Sequence, residues 1–162
     1  KGKIISYEPS KNSFLTLEKN IEMNELSNVK IENLAISKIQ GKDLLHTNDM
    51  DEISNSLYSL NENRDVQEVE TITLNDIFIK HKLDKINFLK MDCEGAEYEI
   101  IMNAPSSILN KIQKISIEIH EEIVPYSKEV MIENLKKHGF NVKLQKSISG
   151  IKMELPLLLA WR

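Results

Sequence analysis

Apolar and polar positions along this chain come in short bursts whose period changes. Lys3 to Tyr7 is a brief, mostly apolar run that stops at Glu8-Pro9. Proline disfavours the helical region for the residue before it, so the run reads as a strand that ends there. Ser10 is placed to cap a helix to about Asn24, with Phe14, Leu17 and Ile21 on one face. Residues 29 to 37, VKIENLAIS, return to strand character, and Gly41 separates Ile36–Ile39 from Leu44–His46 as in a hairpin. Residues 47 to 65 are polar and read as a mobile loop.

Val66 to Thr73 is the next strand, and Thr73 and Asp76 have capping-box spacing for a helix to about Lys82. Ile86 to Met91 predicts a strand, about Gly95 to Met102 a helix, and Ile112 to Ile119 another strand. A helix over roughly Lys128 to His138 should stop at Gly139 in the left-handed position. Val142 to Lys146 and Leu155 to Trp161 complete the set. Strands alternating with helices predict parallel pairing with helices on both faces. Open sheets of that kind bind ligands beyond the carboxyl ends of their strands. Glu8, Asp92 and His120 each close a predicted strand, so they are expected to share one crevice.

The chain has 162 residues, 41% of them hydrophobic and 28% charged, which suits a single globular domain over residues 1–162. A net charge of −4 gives no general attraction for nucleic acid or an anionic membrane. Cys93 is the single cysteine, so no internal disulfide forms, and a reducing, cytoplasmic setting is expected. No run is long enough to span a bilayer. The five glycines are isolated and G-x-G never occurs, which argues against a complete dinucleotide or ATP site. The chain opens on Lys1 and enters a strand directly, so an upstream segment is expected to be missing.

A carboxylate offers two acceptor oxygens, so Glu8 suits the paired hydroxyls of a ribose; its bland alternative is a solvated strand end. Asp92, Glu94 and Glu97 crowd a predicted helix start, where the helix dipole favours acids. Asp92 also closes a strand, and it caps or faces a ligand. The spacing of these acids does not match a calcium loop, and no metal is expected. Lys90 reads as an ion-pair partner of a neighbouring acid rather than a catalyst. His120 is a candidate general base or a hydrogen-bonded structural histidine, with Glu118 on the same side of its strand. His46, His81 and His138 look like surface positions, and Met91, Met102 and Met153 like core. Cys93 has no histidine near it in sequence and is a poor nucleophile candidate.

Several segments in order carry a resemblance: SYEPSKNSFLTLEKNIEMN, VKIENLAIS, VETITLNDI, INFLKMDCEGAEYEIIMNAP, ISIEIH and LKKHGF. Together, from Lys3 to about Phe140, they resemble the FkbM-type methyltransferase family, most specifically through the K-x-D-x-E-G-A-E signature at residues 90–97. The resemblance implies S-adenosylmethionine as cofactor and a Rossmann-like class I methyltransferase fold: a mostly parallel twisted sheet, helices on both faces, and an antiparallel last strand. It implies that Glu8 binds ribose, that Ala35, Ile36 and Ser37 lie near adenine, and that Asp92 and Glu94 stand by the methionine end. Asp92 or His120 would then be the catalytic base. SNSLYS, residues 54–59, resembles a segment that orders over the ligand. The first strand and glycine loop of that fold are missing here. The implied activity is O-methylation of a small molecule or sugar; the alternative is a degenerate, non-catalytic interaction module. A dehydrogenase would also need a glycine loop. The sequence names neither the acceptor nor an oligomeric state.

Overall fold

The computed structural model describes residues 2–47, 55–57, 65–146 and 156–162. In chain order these form β1 (Ile4–Tyr7), α1 (Lys11–Met23), β2 (Val29–Glu32), β3 (Ala35–Ile36), β4 (Gly41–Thr47), β5 (Asp65–Ile72) and α2 (Leu74–Lys80). They continue with β6 (Leu89–Met91), α3 (Glu97–Asn103), α4 (Ser106–Leu109), β7 (Lys114–Glu118) and a 3₁₀ turn (Glu121–Ile123). Last come α5 (Lys128–Lys137), β8 (Asn141–Lys146) and β9 (Pro156–Trp161).

The local signals act as their chemistry predicts. The Ser10 side chain accepts from Ser13 N–H at 3.4 Å and caps α1. Thr73 and Asp76 form a complete capping box, so two orphan N–H groups at the start of α2 are satisfied reciprocally. Gly139 follows α5 with φ +80°, the left-handed conformation that lets the chain leave the helix without a Cβ clash.

The pairing is not the mostly parallel sheet expected. The strands fall into three groups: β1-β2; β3-β5-β4; and β6-β7-β9-β8. The β1–β2, β3–β5 and β6–β7 pairs are parallel, whereas β4–β5, β7–β9 and β8–β9 are antiparallel. This is a mixed fold with interspersed helices. Alternation with helices enforces parallel pairing only where a helix crosses over between two strands. That condition fails for β4 against β5 and for β8 against β9. The expected hairpin about Gly41 is also replaced, since β4 pairs with β5, with Gly41 opposite Thr71.

The core gathers on β7 and β9. Ile115 and Ile117 of β7 and Ile119 just after it share one core cluster with Met91, Leu158, Ala160, Tyr98 and Ile101 of α3, Met131 and Leu135 of α5, and Ile77 and Phe78 of α2. Each such side chain contributes roughly 1.5–3 kcal/mol when fully buried. Met91 is core as expected, but Met102 is exposed at the end of α3. Met153 and most of the 47–65 loop lie outside the described residues. No helix among the described residues is long and apolar enough to cross a membrane.

His81 is not the surface residue expected. It closes α2, and its Nε2 lies 2.9 Å from Tyr7 Oη on β1. Burial pushes the Tyr7 hydroxyl up to about 12, with the Glu32 carboxylate adding to it. Burial also lowers the His81 pKa, helped by the charges of Lys30, Lys80 and Lys3 and opposed by Glu32. The folded protein therefore favours neutral His81. Its contribution is full above the ordinary value of 6.5 and is lost as pH falls through the lowered folded value. Denaturant midpoints measured from about pH 7 down to about pH 5 should fall with acid, and the fall should be shallower in His81→Gln. Parallel pH profiles for the two proteins would contradict this role.

Candidate functional site

Two pieces of chain build the site. The first is the turn between β6 and α3, residues 92 to 96. It contains Glu94 at φ +49° and Gly95 at φ +102° in succession. Glycine adopts such angles freely, but a glutamate there is uncommon and needs support from its surroundings. The support is Glu97, the first residue of α3 and 0% exposed. Its Oε1 accepts from Cys93 N–H at 2.7 Å and its Oε2 from Gly95 N–H at 2.9 Å.

The second piece is the end of β7. Side chains alternate along a strand, so Ser116 and Glu118 point opposite to Ile115 and Ile117, and His120 follows just past the strand end. His120 is 4% exposed, and its Nδ1 lies 3.0 Å from Glu97 Oε1. With Nδ1 held by a carboxylate, Nε2 is the nitrogen left to act. It is buried and has no hydrogen-bond partner among the described residues; Glu94 Oε2 stands 3.6 Å away. A carboxylate oxygen of Asp92, one of Glu118 and a ring nitrogen of His120 all lie within 4.8 Å of one another. The Asp92 side chain is 39% exposed, at the open rim of this cluster, and pairs with Lys90 at 3.1 Å.

Burial alone would lower the His120 pKa. The hydrogen bond that the ring donates to Glu97, then the charges of Glu97, Glu94 and Asp92, outweigh it and hold the ring charged up to about 9. Burial raises the Glu94 carboxyl, His120 opposes that rise, and Asp92 adds to it. Burial, then Glu97, pushes the Cys93 thiol up to about 12, so it stays protonated and is no nucleophile.

A shallow cavity of about 210 Å³ lies beside the same turn, lined by Ser37, Lys38, Asp43, Leu57, Ala96 and Glu99. Lys38 and Glu99 are ion-paired across it at 2.9 Å. Ser37 N–H donates to Ile72 O at 2.9 Å, which seats the end of β3 beside β5. Ser56 Oγ donates to Glu94 O at 2.6 Å and ties residues 55–57 to the acidic turn. Residues 54, 58 and 59 of SNSLYS lie outside the described residues.

Of the residues singled out in the sequence, Asp92, Glu94 and His120 come together, and Ser37 reaches the adjoining cavity. Ala35 is buried beside it, in a small cluster with Leu45 and Val69, and Ile36 packs against the main core. Glu8 stands past the end of β1, with Oε1 accepting from Ser10 N–H at 2.8 Å. Lys90 is exposed rather than buried and forms the acid pair expected of it. Sequence reasoning explained Glu97 by the helix dipole and, on the resemblance, set it behind Asp92, but did not foresee its burial against His120, and it missed Lys38, Asp43 and Glu99. The one legible signal for Glu97 was its fixed distance from Gly95 within the same motif.

The chain matches the methyltransferase FkbM domain over residues 1–142, and it belongs to that family. Membership implies S-adenosylmethionine as cofactor and supports a methyltransferase role. The structure is similar to methyltransferase FkbM from Methylobacillus flagellatus KT, with a TM-score of 0.62 and 12% identity, over 99% of this chain and 36% of that one. It is also similar to precorrin-6y C5,15-methyltransferase from Geobacter metallireducens GS-15, with a TM-score of 0.51 and 12% identity, over 99% of this chain and 68% of that one. At these identities the likeness concerns the fold alone. No curated protein matches the chain.

Glu97 joins both halves of the site, and removing one partner of a buried, hydrogen-bonded charged pair is costly. Glu97→Ala should lower the unfolding free energy by about 3–5 kcal/mol in denaturant titrations. A loss under about 1 kcal/mol, as at ordinary surface positions, would show that the turn holds without it.

Proposed function

We propose that this protein is an S-adenosylmethionine-dependent O-methyltransferase acting on a hydroxyl of a small molecule or sugar, with residues 1–162 forming one methyltransferase domain. The observation that carries the reading is that one turn, residues 92–96, borders both the side cavity and the carboxylate–histidine cluster. A ligand lying along that turn would meet the shallow cavity at one end and an acid-lined opening at the other.

The residues fit the cofactor in parts. The cavity is below the roughly 300–1,000 Å³ of a complete small-molecule site, so it suits one portion of a nucleoside. Ala35, Ile36 and Ser37 form the strand end beside it and would border the adenine. Glu8, its carboxylate fixed by Ser10 N–H, would accept from the ribose hydroxyls. Asp92 and Glu94 would stand by the methionine end, where their negative field favours a cationic sulfonium. When bound, the cofactor supplies an electrophilic methyl group.

The chain's own residues would orient the acceptor and take its proton. Asp92, at the rim, would receive the hydroxyl proton directly or through a water. His120, fixed behind it by Glu97, would hold the acceptor oxygen in line, and alignment of that kind carries much of the rate in a displacement.

Asp92→Asn keeps the shape of the side chain but removes its basicity. Turnover on an accepted hydroxyl substrate should fall roughly 10²–10⁴-fold, while calorimetry should show cofactor affinity changed less than tenfold. Unchanged turnover would remove Asp92 from the role. An unmodified protein that binds no cofactor would favour a non-catalytic module.

A further inference from the structure

We propose that Asp92, Glu118 and His120 form a binding site for a first-row divalent cation of the Mn²⁺ class. The three donor atoms come from two separate segments and lie within 4.8 Å of one another. Metal–ligand bonds of roughly 2.0–2.2 Å place neighbouring ligand atoms about 3–3.6 Å apart, so closure draws the three side chains together by rotation. Asp92 is partly exposed and Glu118 half-buried, and both have room to make it.

A second observation points the same way. His120 is almost wholly buried, yet its Nε2 has no hydrogen-bond partner among the described residues. Buried polar atoms are rarely left so, and each such atom calls for an explanation. The ring's other nitrogen is held by the Glu97 carboxylate at 3.0 Å, and that carboxylate is itself fixed by two backbone N–H groups. A carboxylate behind a histidine, fixing its ring and aiming its second nitrogen, is the support that metal-ligating histidines use, and a bound cation would displace the proton from Nε2.

The donor set also indicates the ion. The acids of residues 92–97 alone do not match a calcium loop; Glu118 and His120 arrive from β7 and bring an imidazole. Imidazole with two carboxylates suits Mn²⁺, Fe²⁺ or Zn²⁺ better than the all-oxygen Ca²⁺ site. Three protein ligands leave coordination positions open, the arrangement of a catalytic rather than a structural site. The cation's use in catalysis rests on the methyltransferase reading above; its binding does not. An acceptor hydroxyl on an open position would lose its proton more readily, to the second oxygen of Asp92.

The test is a Mn²⁺ titration of the chelator-treated protein, followed by the electron paramagnetic resonance signal of free Mn²⁺, without and with S-adenosylmethionine. The expected result is one Mn²⁺ per chain without cofactor, weakened about tenfold or more by Asp92→Asn and by Glu118→Gln. Glu68→Gln, on β5, should leave the affinity unchanged. Thermal unfolding reports whether each variant is folded, and Asp92→Asn, at an exposed position, is the variant that decides. Absence of saturable binding at millimolar Mn²⁺, or binding indifferent to both substitutions, would overturn the site. Methyl transfer that persists in chelator without Mn²⁺ binding overturns the cation and leaves the methyltransferase reading standing. Mn²⁺ binding by a protein that binds no cofactor does the reverse.

Discussion

A single buried carboxylate organises the functional end of this molecule. Glu97 is wholly enclosed, a position that acids rarely occupy without partners. It has three: the N–H groups of Cys93 and Gly95, and Nδ1 of His120. Desolvating a carboxylate costs several kcal/mol, and only a full set of hydrogen bonds offsets that cost. The residues that provide the set are thereby fixed. The turn keeps two consecutive positive-φ residues, and the histidine keeps one orientation.

The rest of the site follows from how β7 is used. It lies inside the sheet, between β6 and β9, so both of its edges are hydrogen-bonded. Its isoleucines anchor the core, and the alternate positions deliver Glu118 and His120 to the acidic turn after β6. Parallel pairing of β6 with β7 sets Met91 beside Ile117, so both strands finish at the same end. The antiparallel strands β8 and β9 fill the other side of β7 and bury it without contributing to the cluster. The mixed pairing therefore leaves intact the one parallel contact on which the site depends.

Much of this was legible in the chain itself, for physical reasons. Capping chemistry is local, so Ser10, Thr73-Asp76 and Gly139 announced their helix ends. Strand-end positions were readable from Pro9 and from the stop of the apolar run at Asp92. Pairing direction was not, because it depends on how distant strands meet. Nothing in residues 41–47 says that they lie against residues 65–71 rather than back on β3. Glu97 looked like one more acid in a first helical turn, since its burial is decided by β7, more than 15 residues away. His81 looked exposed for the same reason: its partner Tyr7 is 74 positions distant.

The account's central claim is that Glu97 holds the His120 ring with Nδ1–H bonded to it and Nε2 turned toward Glu94, beside the Asp92 and Glu118 carboxylates. Nitrogen-15 NMR of the histidine rings, with Glu97→Ala for assignment, tests that most directly. The claim predicts a slowly exchanging, strongly downfield Nδ1–H on His120 across neutral pH that disappears in the variant. An Nδ1 without a proton, or one exchanging as freely as in an exposed histidine, would contradict it.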